Sequence, residues 1–279
     1  MQYSVDFDSV EKILHIADVH IRNYKRHKEY RQVFRKLYKE AKALPKNSLI
    51  YVAGDIVHTK TDISPELVQI VSEFLNKLAN IRPTVIIAGN HDANLNNSSR
   101  LDSLSPIVDN LSNENLFYLR NSGIYTIADV DFIVYSVLDN TDKWPNAKDS
   151  KSKNRIGLFH GAVNNSKTDA GYTVRDENLP LKTFDGCHMV MLGDIHKFQH
   201  LNKGETVTYA GSLIQQNFGE SFENHGYVIW DIASRKAEFF NIPNDYGYYT
   251  LRIKDGKLPN IDNIPKYPRL RFITENTTQ

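Results

Sequence analysis

The first third of the chain alternates short, wholly apolar runs with segments whose apolar residues recur every three or four positions. Residues 12–17 (KILHIA), 48–53 (SLIYVA) and 84–88 (TVIIA) are apolar runs of strand length, as expected of strands buried on both faces. Between them, Tyr30, Val33, Phe34, Leu37, Tyr38 and Ala41 keep helical spacing up to Pro45, and Leu67, Ile70, Val71, Phe74, Leu75 and Leu78 form a second stripe. Ser64-Pro65 opens that second helix, with serine as N-cap and proline at the first helical position, where an N–H would have no partner anyway. The order βαβαβ predicts a parallel sheet with helices on its faces.

The pattern then changes. Residues 116–119, 124–128, 131–138, 155–160, 188–192, 207–210, 226–232 and 236–240 read as strands with short turns and few helical windows between them. They predict a second, mixed or antiparallel sheet packed on the first, giving a two-sheet α/β sandwich. Residues 139–154, rich in lysine, and 161–180 are polar loops. From about residue 243 the pattern loosens, and four of the ten prolines fall between 243 and 268. The expected division is therefore 1–242 for the main domain and 243–279 for a linker and the start of another.

With 41% hydrophobic residues in 279, the chain can bury a real core, which excludes wholesale disorder. Lys and Arg (34) balance Asp and Glu (33), so no basic coat covers the surface. A local patch can still meet a DNA backbone, and Arg22, Lys25 and Arg26 in RNYKRHK (22–28) are the candidates. No signal segment opens the chain, and no apolar run approaches the ~18 residues of a membrane span. The single Cys187 cannot form an internal disulfide or a cysteine-type zinc site. A soluble, cytoplasmic protein without membrane contact is expected. The ten histidines are the feature that stands out.

Their placement is informative. Asp18-Val19-His20, Gly54-Asp55, Gly89-Asn90-His91-Asp92, Phe159-His160 and Gly193-Asp194-Ile195-His196 each sit at the carboxyl end of an expected strand. In open α/β sheets those ends converge on one crevice. The glycines before Asp55, Asn90 and Asp194 allow tight turns with close backbone approach. Oxygen and nitrogen ligands without thiolates suit manganese, iron or zinc better than calcium, and the set is too large for one tetrahedral ion. Two ions bridged by a shared carboxylate would clamp a phosphoryl group and activate a water. Each motif alone is commonplace, since a strand-end Asp after Gly is often a turn or cap residue; the ordered set is not. His15, inside the first strand, reads as core packing, and Cys187 as a structural thiol.

This ordered set resembles the calcineurin-like metallophosphoesterases, whose pattern runs DxH, GDxx(D/H), GNHD, a lone His and GHxH, over roughly residues 12–240. ILHIADVHIR, GDIVHTKTDISPE, and GDIHKFQ followed by YAGSLIQQNFGE and GYVIWDI resemble more narrowly the SbcD-type nucleases. These are the bacterial counterparts of the meiotic-recombination-eleven DNA-repair nuclease, and a phage or viral type is implied. The resemblance implies that Asp18, His20, Asp55 and His196 hold one metal, and Asp55, Asn90, His160 and Asp194 the second, with Asp55 bridging. His91 would stand beside the scissile phosphate as acid or transition-state stabiliser, Asp92 would orient its ring, and His58 would lie near the phosphate. Two manganese ions are implied, with magnesium, iron or zinc as alternatives. So are exonuclease and endonuclease action on DNA in repair or recombination, an SbcC-type ATPase partner, and a homodimer formed by the early helices at 25–43 and 65–80.

One position departs from the family. GHxH has become Gly193-Asp194-Ile195-His196, so a carboxylate replaces an imidazole, adds negative charge and favours harder ions. At the other end, YYTLRIKDGKLP and YPRLRF resemble the entry to the capping domain of SbcD-like proteins. Residues 243–279 are too few for that domain, which implies a truncated chain or a minimal member. Two other functions fit the same motifs: a stand-alone phosphoesterase acting on nucleotides or phosphoproteins, and a non-catalytic scaffold, suggested only by Asp194. The Gly211–Glu220 segment with His58 favours the nuclease, and retention of His91 and the other ligand positions argues against the scaffold.

Overall fold

The computed structural model describes residues 1–97, 100–259, 261 and 264–276. Its first half runs β1 (Gln2–Tyr3), β2 (Lys12–Ile16), α1 (His27–Ala43), β3 (Leu49–Ala53), α2 (Pro65–Ala79), β4 (Thr84–Ile87), α3 (Ser105–Leu111) and β5 (Leu116–Tyr118). The second half continues β6 (Gly123–Ile127), β7 (Val130–Tyr135), β8 (Asn154–His160), β9 (Met189–Gly193), β10 (Gln199–His200) and β11 (Val207–Tyr209). Then come β12 (Gly226–Asp231), β13 (Lys236–Asn241), β14 (Tyr246–Lys254) and β15 (Tyr267–Glu275).

Two sheets form the sandwich. The first has the order β13-β12-β2-β3-β4-β5 and the second β1-β6-β7-β8-β9-β11-β10. The unbroken apolar runs have a direct cause. Successive side chains of a strand point to opposite faces, and both faces of the first sheet are covered. Leu14, Ile16, Ile50, Val52 and Ile86 pack under α1 and α2 against Phe34, Leu37, Val71 and Phe74. Their neighbours Ile13, Leu49, Tyr51 and Val85 face the second sheet, against Phe132, Val134, Ile156, Leu158 and Met191. The far face of the second sheet (Ile133, Tyr135, Phe159, Leu192) lies under Trp144, Ala147, Val163 and Phe184 from the two polar loops and the short turns around them. Helix α2 starts as its sequence requires: the Ser64 hydroxyl accepts the Leu67 N–H at 3.2 Å, a cap worth about 1 kcal/mol.

The structure redistributes three strands expected in the second sheet. β5 follows the short helix α3 and pairs in parallel with β4, so it extends the first sheet. β12 runs antiparallel beside β2, with Val228 opposite His15, and β13 pairs on its outer side. The second sheet is mixed, with parallel pairing along β7-β8-β9-β11. Hydrophobic pattern marks a strand but does not name its partner.

Residues 246–275 hold what the loosened pattern did not disclose: β14 and β15 form a parallel two-stranded ribbon, from Tyr246 opposite Tyr267 to Lys254 opposite Glu275. The ribbon and the turn before it dock on α1 through polar contacts. Glu29, buried on α1, accepts Asn244 Nδ2 at 2.9 Å and Arg269 Nη2 at 2.6 Å. Gln32 Nε2 reaches Asp245 at 2.6 Å, and Lys36 Nζ the Pro243 carbonyl at 2.7 Å.

Candidate metal centre

The loops after β2 and β3 zip together beyond the sheet. The His20 N–H donates to the Asp55 carbonyl at 2.9 Å, Ile21 N–H to Ile56 O at 2.9 Å, and His58 N–H to Ile21 O at 3.0 Å. Asp18 (φ 50°), His20 (φ 49°), Asp55 (φ 50°) and Asp194 (φ 96°) all take the left-handed conformation, which non-glycine residues adopt rarely and at a cost of order 1–3 kcal/mol each. The turns at Asp18 and His20 let both side chains leave the strand end toward the same place. Two glycines allow the remaining approach. A Cβ on Gly89 would lie 2.1 Å from Asp55 Oδ1, and one on Gly193 would lie 2.1 Å from Ala53 O.

The predicted ligands converge. Asp55 stands in the middle: its Oδ2 is 3.5 Å from His20 Nε2 and its Oδ1 3.3 Å from His160 Nε2. His20 Nε2 and His196 Nε2 are 3.0 Å apart, and His196 Nε2 lies 4.0 Å from Asp18 Oδ1. His160 Nε2 also faces Asn90 Oδ1 at 3.1 Å and Asp194 Oδ1 at 3.8 Å. Among the described residues, three sets of ligand atoms gather within 4.8 Å: Asp18, His20 and His196; Asp18, Asp55 and His160; and His20, His58 and His91.

The donor set itself fits cations. His160 Nδ1 donates to Ala53 O at 2.6 Å and His196 Nδ1 to Glu220 Oε1 at 2.8 Å, which leaves each Nε2 to face the oxygens and the other ring. An assembly of buried acceptors is stable only around protons or metal ions. Burial opposes charge on His160, yet Asp55 holds the ring protonated well above its ordinary range. Burial likewise opposes charge on His196, and Glu220 and Asp18 outweigh it to raise the ring to about 9. Burial lifts Asp18 to about 7 against the pull of His196 and His160. His20, buried and beside His196, His91 and His58, titrates well below its ordinary value, and its Nδ1 has no partner. Divalent cations would replace those protons, so the residues present fit a metal centre.

His91 and His58 stand beside His20, their ring centroids 4.8 and 5.4 Å from it. The His91 N–H donates to Asp55 Oδ1 at 2.8 Å, and His91 Nδ1 donates to the His58 carbonyl at 2.7 Å. That carbonyl, not Asp92, orients the His91 ring. Asp92 is wholly buried and accepts backbone amides: Gly89 at 2.9 Å, Val57 at 2.9 Å and Ile56 at 3.3 Å. It ties two site loops together. Asp194 sits at the rim, and its backbone N–H donates to both Asp18 oxygens at 3.1 Å.

The basic patch divides. Lys25 is exposed. Arg26 is not a free surface cation: it is paired with Glu29 at 2.9 Å, donates to Gln215 O at 2.6 Å, and leaves 2% of its side chain accessible. It therefore departs from the DNA-contact expectation, because burial beside a carboxylate occupies its donors. Arg22 is half-buried, bonds Gln216 O at 3.3 Å and keeps a buried Nε without a partner. His15 packs in the core, with Trp230 Nε1 donating to its Nδ1 at 3.4 Å. Glu220 behind His196 carried no expected role, although it closes the YAGSLIQQNFGE segment that prompted the narrower resemblance.

The "uncharacterized protein R555" of Acanthamoeba polyphaga mimivirus is 45% identical over 282 aligned residues, covering 97% of this chain and 21% of its own length. The chain thus spans about a fifth of that relative. The SbcD component of the SbcCD nuclease of Staphylococcus epidermidis is 26% identical, across 81% of this chain and 67% of that one. A cold-active protein-tyrosine phosphatase of Shewanella aligns with 85% of this chain and 81% of its own at 12% identity, with a TM-score of 0.38. No helix among the described residues is long and apolar enough to cross a membrane. The calcineurin-like phosphoesterase pattern matches residues 11–198, a span that takes in all five strand-end motifs, and the chain belongs to that family, with distant homology to SbcD nuclease subunits.

Proposed function

We propose that this chain is a divalent-metal-dependent DNA nuclease that hydrolyses phosphodiester bonds at a two-ion centre, with exonuclease and endonuclease action in DNA-end processing. The observation that carries the reading is Asp55 between two ligand groups, one oxygen toward His20 and the other toward His160. Asp18, His20, Asp55 and His196 would hold one ion, and Asp55, Asn90, His160 and Asp194 the other. When bound, the ions supply a Lewis-acid clamp on the phosphoryl oxygens and a water of lowered pKa. Manganese suits this nitrogen and oxygen set, with magnesium, iron or zinc as alternatives; the Asp194 carboxylate favours the harder ions.

The remaining groups prepare the substrate. His91, its Nδ1 proton held on the His58 carbonyl, presents its other nitrogen as acid or transition-state stabiliser. His58 stands next to it, and Asp92 keeps the two loops in register. Exposed Lys25 and half-buried Arg22 follow the first motif, where a phosphate backbone needs positive charge. The named relatives in staphylococci are components of SbcCD, so an SbcC-type ATPase is the partner class proposed here, with pairing of two copies through α1 and α2. Residues 1–242 would form the nuclease domain and the ribbon beyond it the entry to a capping domain.

The test is manganese-dependent cleavage of linear duplex and single-stranded DNA by the wild type and by Asp55→Asn and His91→Ala. Loss of cleavage in both variants supports the reading. Activity confined to a small phosphomonoester points instead to a stand-alone phosphoesterase. Bound metal without either activity leaves a scaffold.

A further inference from the structure

The segment Leu213–Glu220 crosses the open end of the sandwich and returns a carboxylate to the back of His196. Glu220 has 5% of its side chain accessible. Its Oε1 accepts His196 Nδ1 at 2.8 Å and Asn217 Nδ2 at 2.7 Å, and its Oε2 accepts the Gln216 N–H at 2.6 Å. Both oxygens are therefore fixed in direction. The segment is clamped in turn from the start of α1, where Arg26 donates to Gln215 O at 2.6 Å and to Gln216 Oε1 at 3.2 Å, and Arg22 to Gln216 O at 3.3 Å. Gln215 Nε2 closes the loop on the Glu220 carbonyl at 3.1 Å.

From this geometry we infer that Glu220 is a positioning residue for the metal centre, holding the His196 ring through Nδ1 so that Nε2 is aimed at the space shared with His20 and Asp18. The inference rests on the proposal that this cluster binds divalent ions. A ligating imidazole whose far N–H is held by a carboxylate has one tautomer, one orientation and a more basic ligand nitrogen. His196 needs such a partner more than the other ligands do. His160 is anchored on the Ala53 carbonyl inside a strand end, whereas His196 lies beyond β9, with 24% of its side chain accessible. The carboxylate does this without touching the ions or the substrate. A glutamine is only a partial substitute, because its single oxygen can serve His196 Nδ1 or the Gln216 N–H but not both.

The test compares the wild type with Glu220→Ala and Glu220→Gln by titration calorimetry with manganese and by the visible absorption of the cobalt(II)-substituted protein. Glu220→Ala is expected to weaken manganese binding by roughly 10- to 100-fold and to shift the cobalt bands, with Glu220→Gln between it and the wild type. Wild-type affinity and an unchanged cobalt spectrum in both variants would overturn the inference. If the alanine variant does not fold, the glutamine variant decides by the same two readouts: a weakened site with altered bands supports the role, and a wild-type spectrum and affinity refute it. A wild-type protein that binds neither ion would instead refute the metal centre itself, and with it the role of Glu220.

Discussion

Asp55 and His160 meet across 3.3 Å at the ends of strands from different sheets, and the far nitrogen of the same ring is pinned to Ala53 O at 2.6 Å. Ala53 ends β3 and His160 ends β8, so this one imidazole bridges the sandwich at its open edge. The geometry of the centre therefore depends on the contact between the two sheets, and Asp55 is the group that both proposed ligand sets share.

Asp55→Asn should accordingly do more damage than loss of any peripheral ligand. Supporting residues around metal sites typically change affinity by 10- to 100-fold, so removal of the shared carboxylate is expected to lower manganese affinity by more than roughly 100-fold. Calorimetry reads the affinity and DNA cleavage follows it. Near-wild-type binding would show that the two sets do not share this residue.

His91→Ala separates chemistry from metal binding. Its ring is held by the His58 carbonyl and lies outside the proposed ligand spheres. Cleavage should fall by roughly 10²- to 10⁴-fold, the range of a lost acid–base group, while manganese affinity stays at the wild-type level, since no proposed ligand is removed. A parallel loss of both would reassign His91 as a ligand.

Gly89→Ala tests the close approach. The added methyl would overlap Asp55 Oδ1, and the Asp55 backbone behind it cannot yield without disturbing the zipped loops. Manganese binding is expected to drop by roughly tenfold or more, with circular dichroism unchanged. Unaltered affinity would mean that the loops accommodate the clash.

Stability should carry the mark of Glu29. Burial pushes its carboxyl up, but Arg26, Asn244 and Arg269 outweigh burial and hold it below its ordinary value of 4.5. Because the folded value is depressed, the stabilisation is complete above the unfolded value and disappears as pH falls through the folded one. Glu29→Ala leaves buried Arg26 without its partner, a loss of about 3 kcal/mol at pH 7. Urea denaturation at pH 7 and at successively lower pH should show the gap from the wild type closing below about pH 4.5. A gap independent of pH would assign the loss to packing.

Salt dependence of DNA binding discriminates within the basic patch. Lys25→Ala should weaken binding with little regard to sequence and reduce the log–log salt slope by roughly 0.9. Arg26→Ala should instead lower the melting temperature, since its guanidinium is occupied by Glu29 and the Gln215 carbonyl. Equal slopes for wild type and Lys25→Ala would remove Lys25 from the DNA path.

Local pattern carried much of the fold and nearly all of the cluster. The runs at 12–17, 48–53 and 84–88 became β2, β3 and β4, and Ser64-Pro65 opened α2 as capping chemistry requires. Other elements were illegible for identifiable reasons. Ser105–Leu111 makes a helix of seven residues, too short for an apolar stripe to stand out. β14 and β15 show no regular alternation of buried and exposed positions, and the ribbon and the turn before it are held on α1 by Glu29, Gln32 and Lys36, polar contacts that leave no hydrophobic signature.

The chain by itself determined which chemistry is available: five strand ends bearing Asp, His and Asn, with glycines where backbones must pass closely. This is local information, because strand period, turn residues and motif order are all written within a few positions. Only the tertiary structure decided who meets whom. It set β12 beside β2, turned Arg26 inward to Glu29, gave the His91 ring to the His58 carbonyl instead of Asp92, and brought Glu220 behind His196. Like the Arg269–Glu29 contact, which spans 240 positions, they depend on how two sheets stack and which polar groups burial forces to find partners.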